Sequence, residues 1–264
     1  MENRMRNKNI VITGASSGIG EKVAVQVAKL GARPVLLARS TEKLQQLSED
    51  INRNYNVGSI YYSLDVSNKV QVEQVFQQIL LDIGKIDVLL NNAGFGMFET
   101  FSDAKLENIE KMFQVNVIGL MACTKAVLPS MVENNSGHII NIASQAGKLA
   151  TAKSSGYAAT KHAVLGFTNS LRMELANTNI YISAVNPGPI ETNFFTIADK
   201  SGTYVSNVRK YMLTADYVAD KIVRLMLRPK RELNLPRWMN VGSILYNLFP
   251  SIADKLVGNL LNRK

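Results

Sequence analysis

The stretch Thr13-Gly14-Ala15-Ser16-Ser17-Gly18-Ile19-Gly20 decides how the rest of this chain is read. Ahead of it, Asn9 to Thr13 is a short apolar run rich in β-formers. Behind it, Ile19, Val23, Val27 and Leu30 recur at spacings of three and four, the period of a helix with one buried face. Glycines between a strand and a helix let the backbone turn sharply and come close to a ligand. The free amides and the dipole of the helix N-terminus then favour a pyrophosphate. The spacing, G-x-x-x-G-x-G, departs from the G-x-G-x-x-G dinucleotide fingerprint. Its position between strand and helix is what sets it apart from an ordinary tight turn.

Working outward, the same alternation continues. Gly31 stops the first helix, and Pro34 to Ala38 is a second strand. Ser40 or Thr41 caps a helix carrying Leu44, Leu47 and Ile51. Strands follow at 59–64, 86–90, 138–142 and 180–185. Helical patterns fill 67–83, 103–133 (with Pro129 bending or interrupting it near its end) and 157–176. Most strands are near-continuously apolar, as expected of a parallel sheet covered on both faces. The prediction is an α/β fold, a doubly wound Rossmann-like sheet with helices on both faces. No tandem repeat, low-complexity tract or Pro/Gly-rich linker divides it. One domain is expected, with residues 1–210 forming the dinucleotide-binding and catalytic part and 211–264 a helical C-terminal extension.

Composition narrows the partners. The 264 residues are 46% hydrophobic and 19% charged, values that suit a chain with a sizeable core. Cys123 is the only cysteine, so an intramolecular disulfide is excluded, and a small buried apolar role suits it better than a reactive thiol. The net charge of +9 permits acidic ligands, anionic lipid or nucleic acid and selects none. Scattered basic residues without a recognition motif argue against nucleic acid. His138 and His162 have no Cys, Asp or Glu cluster beside them, so no metal is expected. The N-terminus MENRMRNKN has no long apolar stretch, and no run reaches the ~18–20 consecutive apolar residues of a membrane span; a cytoplasmic location is the expectation.

The chemistry begins at the end of the second strand. An acidic residue about 20 positions past the glycines would bond a ribose 2′-hydroxyl. Here Ala38 stands there and Arg39 follows, and a guanidinium pairs with a 2′-phosphate. The sequence therefore favours NADP over NAD. Tyr157 and Lys161, four apart in a helical pattern, share one helix face. A phenol ordinarily titrates near 10, and a neighbouring ammonium favours its ionised form. Ser144 follows the strand 138–142, at the end of a parallel sheet where ligands bind, and its hydroxyl suits a substrate oxygen.

With these residues in place the chain resembles the short-chain dehydrogenase/reductases over about residues 7–195. The matching pieces are Thr13-Gly14-x-x-x-Gly18-x-Gly20, Asp65-Val66, Asn91-Asn92-Ala93-Gly94, Asn116, Ser144, Tyr157-x-x-x-Lys161 and Pro187-Gly188. The resemblance implies hydride transfer between NAD(P)H and a carbonyl or alcohol. It implies that Tyr157 is the general acid or base, and that Lys161 lowers its pKa and holds the nicotinamide ribose. Ser144 would polarise the carbonyl, and Asn116 would hold a relay water. For the cofactor it implies the glycine turn with Ser16, Ser17 and Ile19, then Asp65 and Val66 at the adenine. Asn92, Ala93 and Gly94 would meet the adenosine ribose. Ile190 and Thr192, past Pro187-Gly188, would meet the carboxamide, with Ile142 near the ring. A homodimer or homotetramer is usual in the family.

Three segments bear on the substrate. Phe95, Met97 and Phe98 are cleft-lining or packing residues, with the sequence favouring neither. Phe194, Phe195 and Ile197 begin a segment that the resemblance makes a mobile lid, and their apolar character favours an apolar carbonyl. Further on, Arg224, Arg228, Lys230, Arg231 and Arg237 form a basic cluster around Pro236-Arg237-Trp238. An apolar pattern follows from Ile244 to Leu261, split by Pro250. It reads as a subunit interface or core cover, ahead of an interfacial helix on anionic lipid that would suit a keto-lipid. A cofactor-responsive binding protein without turnover is the competing function.

Overall fold

The computed structural model describes residues 5–149, 151–199 and 202–249. Seven strands form one parallel sheet in the order β3-β2-β1-β4-β5-β6-β9. They are β1 (Asn9–Thr13), β2 (Arg33–Ala38), β3 (Ile60–Ser63), β4 (Val88–Asn91), β5 (Gly137–Ile142), β6 (Ile180–Pro187) and β9 (Glu232–Leu235). Two short strands, β7 (Ile190–Glu191) and β8 (Leu213–Thr214), pair apart from it. The predicted doubly wound fold is therefore present.

Alternation along the strands fills both faces. In β1, Ile10 and Ile12 enter the core under α1 (Gly18–Lys29), α2 (Thr41–Tyr55) and α9 (Ala215–Leu227). Val11 enters the opposite core, under α3 (Lys69–Ile83), α5 (Leu120–Glu133) and α6 (Ser155–Glu174). Side chains that point alternately up and down are both buried only when helices cover both faces. Gly31, at φ +80°, turns the chain from α1 into β2.

Two elements depart from expectation. The segment after Tyr211, read as a helical extension, also supplies β9, which pairs with β6 from Ala184↔Glu232 to Pro187↔Leu235. Its four residues alternate polar and apolar beside a basic cluster, too short a pattern to stand out. The helix expected over 103–133 runs as α4 (Leu106–Phe113), a π turn (Gln114–Gly119) and α5. Pro129 stays inside α5 without ending it. This helix is long and apolar enough to cross a membrane on composition, but Val117, Leu120, Cys123 and Val127 are buried in the core. The remaining helices are α7 (Phe194–Ala198), α8 (Thr203–Val208) and α10 (Arg237–Leu248). Pro250, Ile252, Leu256, Leu260 and Leu261 lie outside the described residues.

Candidate active site

β1 has β2 on one side and β4 on the other, so the chain order reverses between β1 and β4. A crevice opens at such a switch point, beyond the C-terminal strand ends. The glycine turn and Asn92-Ala93 are tied together across it. Thr13 Oγ1 accepts from the amides of Asn92 (2.9 Å) and Ala93 (3.0 Å), and Asn92 Nδ2 donates to the carbonyls of Thr13 (3.0 Å) and Gly14 (3.1 Å). Gly14 sits at φ +66°, and a Cβ there would fall 2.9 Å from the Ala93 Cα. Only glycine meets both demands.

A cavity of about 1880 Å³ runs from this crevice. Its wall includes Gly14, Ser16, Ser17, Gly18 and Ile19, then Arg39, Asp65 and Val66, and then Asn92, Ala93 and Gly94. It continues past Ile142, Ser144, Tyr157 and Lys161 to Pro187, Gly188, Ile190 and Thr192. Two expected site residues are not on the wall. Gly20 faces the protein, where a Cβ would lie 2.4 Å from the Gly14 carbonyl oxygen, so its lack of a side chain lets α1 pack against the turn. Asn116 is 1% exposed, behind the wall. Its Oδ1 accepts from Phe95 N (3.0 Å), and its Nδ2 donates to Phe95 O (2.8 Å) and Thr160 Oγ1 (3.2 Å). The π turn carries Asn116 to this position, clamping the loop after β4 to α6.

The residues fit a dinucleotide on this structure's own evidence. Ser17 stands at the N-cap of α1 without a side-chain bond to the first turn, so that turn's amides face the cavity. Gly18, at φ +58°, brings backbone close to Thr192 across the cavity. Arg39, in the bend after β2, and Lys43, in the first turn of α2, both line the far end. Burial raises the Asp65 carboxyl, but hydrogen bonds from Ser67 and the Arg39 charge outweigh it and hold the group below its usual range.

At the other end, α6 presents Tyr157 and Lys161 to one space, with the Lys161 Nζ 5.7 Å from the phenol ring centroid. Nζ donates to the Ile142 carbonyl at 2.8 Å. Burial lowers its pKa to about 8. Burial raises the Tyr157 phenol above its ordinary value; a hydrogen bond with Ser144 pulls it back, and the Tyr204 phenol pushes it up. Among the chain's own groups, then, desolvation is the largest influence on the Tyr157 phenol, and its direction is opposite to the lowering by Lys161 expected from the sequence. Ser144 Oγ also accepts from the Ala146 amide at 3.1 Å, which fixes the short turn Gln145–Gly147 after β5.

Sequence reasoning missed several residues. Lys43 was detectable as a cation four positions past Arg39. Gly96 was not: a Cβ there would lie 2.8 Å from both Phe194 Cζ and Tyr157 Cδ2. Phe95 and Phe98 do line the cavity. The Phe98 ring packs edge-on against Tyr157 (5.8 Å between centroids) and against Tyr204 on α8 (5.0 Å). The far wall comes from α10, through Trp238, Met239, Leu245 and Tyr246.

The comparisons agree with this architecture. The family profile described as short chain dehydrogenase matches residues 8–201. The chain belongs to the short-chain dehydrogenase/reductase family and is an NAD(P)-dependent oxidoreductase acting on CH–OH or C=O groups. Among curated relatives it is 36% identical over 196 residues to the NADP-dependent 3-hydroxy acid dehydrogenase of Schizosaccharomyces pombe, covering 74% of this chain and 76% of that protein. Among solved structures it is similar to a Burkholderia phymatum short chain dehydrogenase/reductase in complex with NAD. That pair is 25% identical at TM-score 0.86, over 94% of this chain and 95% of the other. It is also similar to an alcohol dehydrogenase from the archaeon Thermococcus sibiricus complexed with 5-hydroxy-NADP. That pair is 28% identical at TM-score 0.78, over 87% and 96% of the two chains.

Proposed function

We propose that this protein is an NADPH-dependent reductase of an apolar carbonyl compound, with Tyr157 as the proton donor. The observation that carries the reading is one continuous cavity. It has Arg39 and Lys43 at one end, the glycine turn in the middle, and Tyr157, Ser144 and Lys161 at the other end. The bound nicotinamide supplies the hydride. The chain's own groups supply position and charge.

Arg39 and Lys43 hold the 2′-phosphate, which an adenosine of NAD lacks. The first turn of α1 binds the pyrophosphate. Lys161 is fixed by the Ile142 carbonyl and bonds the ribose beside the phenol. Ser144 Oγ donates to the carbonyl oxygen and draws electron density from its carbon. Tyr157 O–H then gives its proton to the same oxygen as charge develops there. A phenol held protonated by burial is in the right form for this direction, and the lysine charge stabilises the phenolate left behind. Phe98, Phe194, Phe195 and Tyr204 form an aromatic wall at the phenol, which favours an apolar substrate and excludes water.

The test is NADPH consumption over a panel of carbonyls. Tyr157→Phe should abolish turnover and keep NADPH binding; undiminished turnover would remove the proton-donor role. Arg39→Ala should weaken NADPH by about tenfold to a hundredfold, the scale of a lost charge-assisted bond. NADH binding should be unchanged, and equal losses for both cofactors would remove the 2′-phosphate contact.

A further inference from the structure

Helix α10 is inside-out for a helix in water. The polar residues of its first two turns face the protein, with Lys148 Nζ donating to Asn240 Oδ1 at 3.2 Å and Ser243 2% exposed, while Asn247 near its end is exposed. Its outer side is otherwise apolar. Val241, Ile244 and Leu248, at spacings of three and four, are 58%, 50% and 64% exposed. A surface helix normally turns these faces the other way. Trp238, Leu245 and Phe249 line the cavity and are also more than half exposed. The apolar arc therefore passes without a break from the cavity wall to the outside.

Charge says what covers this arc. Arg237 opens α10, and the Tyr211 ring lies 6.1 Å from Trp238, which brings Arg209 and Lys210 alongside. Residues 202–214 and 236–249 contain no Asp or Glu. A second copy of a +9 chain would bring like charge to a basic rim. Anionic lipid headgroups match it, and aromatic residues with Lys and Arg around an apolar face are what the bilayer interface favours.

We propose that α10, together with the turn Arg209–Tyr211, docks this enzyme on an anionic bilayer surface. Val241, Ile244 and Leu248 seat among the lipid chains, and the cavity opens toward the membrane. A bilayer-dissolved carbonyl then reaches Tyr157 along Leu245 and Trp238 without crossing water. Docking itself does not depend on the reductase reading, because the test below needs no turnover.

Trp238 is the only tryptophan in the chain, so its emission reports on α10 alone. The full chain is titrated with vesicles of phosphatidylcholine plus phosphatidylglycerol, and separately with pure phosphatidylcholine. The expected result is a blue shift and co-sedimentation with the anionic vesicles, weakened at least about tenfold on neutral ones and by added salt. Val241→Glu with Leu248→Glu should cut partitioning by about tenfold or more, with NADPH affinity and thermal midpoint unchanged. Should that pair fail to fold, Arg209→Glu with Lys210→Glu, on exposed side chains, should give the same loss. Unmoved emission without co-sedimentation at low salt overturns the proposal. So does a lipid-independent blue shift that rises with protein concentration as the mass doubles, because a second copy then covers the face.

Discussion

Gly96→Ala is the most searching single test of how the phenol is positioned. Carbon atoms in good contact lie about 3.5–4.0 Å apart. The added methyl would stand 2.8 Å from Phe194 Cζ and from Tyr157 Cδ2, and 3.1 Å from Tyr157 Cε2. The overlap is thus close to ~1 Å on both sides. Phe194 is a ring at the start of short α7 and can swing. Tyr157 is buried on α6, with the Phe98 and Phe194 rings at 5.8 and 5.7 Å. Part of the displacement must fall on the phenol. Overpacking of this kind costs about 1–3 kcal/mol, and a misplacement approaching 1 Å costs up to about a hundredfold in rate. The expected outcome is a kcat lower by roughly 10- to 100-fold at saturating NADPH, with a lower Tm. NADPH affinity by calorimetry should stay within about threefold, because Gly96 lies off the cofactor end of the cavity. Adding Phe194→Ala should recover only the part absorbed by the Phe194 ring. A single variant with wild-type kcat and Tm would show that Tyr157 is not held from this side, and a double variant with full activity would place all the strain in α7.

Other predictions follow from the same contacts. Lys43→Ala should weaken NADPH by about three- to tenfold and leave NADH untouched; equal effects on both would take Lys43 out of the 2′-phosphate site. Burial holds Lys161 down to about 8, so its ammonium is lost above that pH and NADPH affinity should fall there. Lys161→Arg should push that decline beyond the measurable range, and an unshifted decline would assign it to another group. Burial keeps His138 neutral down to about 4, against 6.5 when exposed. The unfolded chain therefore takes up this proton first as pH falls, and stability drops between about 6.5 and 4 by up to about 3 kcal/mol, which His138→Asn should remove from the Tm profile. Lys148→Met breaks the half-buried pair with Glu232 and should cost about 1–2 kcal/mol, with part regained on adding Glu232→Gln; no change in thermal unfolding would show the pair to be idle.

The parts of the fold legible in the sequence were those with long or two-sided apolar patterns. β1, β2, β4, β5 and β6 could be read because both faces of each are buried, which leaves near-continuous apolar runs. β9 could not, since Glu232 and Asn234 interrupt it and its place depends on pairing with β6. The π turn is silent in sequence, because Gln114 to Gly119 keep a helical composition while only the hydrogen bonding shifts. In the site, residue types with a required chemistry stood out: the glycine turn, Arg39, Ser144, Tyr157 and Lys161. Gly20 and Asn116 stood out equally, yet they serve packing and a loop clamp rather than the wall itself. The sign of the Tyr157 balance was illegible, because it depends on how deeply α6 is covered. The α10 wall was hidden because its apolar spacing matches any packed helix, and only the placement of Asn240 and Ser243 reveals which side points outward.

The π turn gives the long helix an unusual tolerance. One surplus residue in a helix rotates everything beyond it by about 100°, so a deletion elsewhere in α4 or α5 would turn Met112 or Cys123 out of the core. Deletion of Asn116 from the π turn Gln114–Gly119 would instead restore regular i to i−4 bonding. Such a shortened chain would keep its fold and lose the amide that braces Phe95 and Thr160. The enzyme thus carries, at the centre of its longest helix, a place where simplification is compatible with folding and is opposed only by the need for a working site.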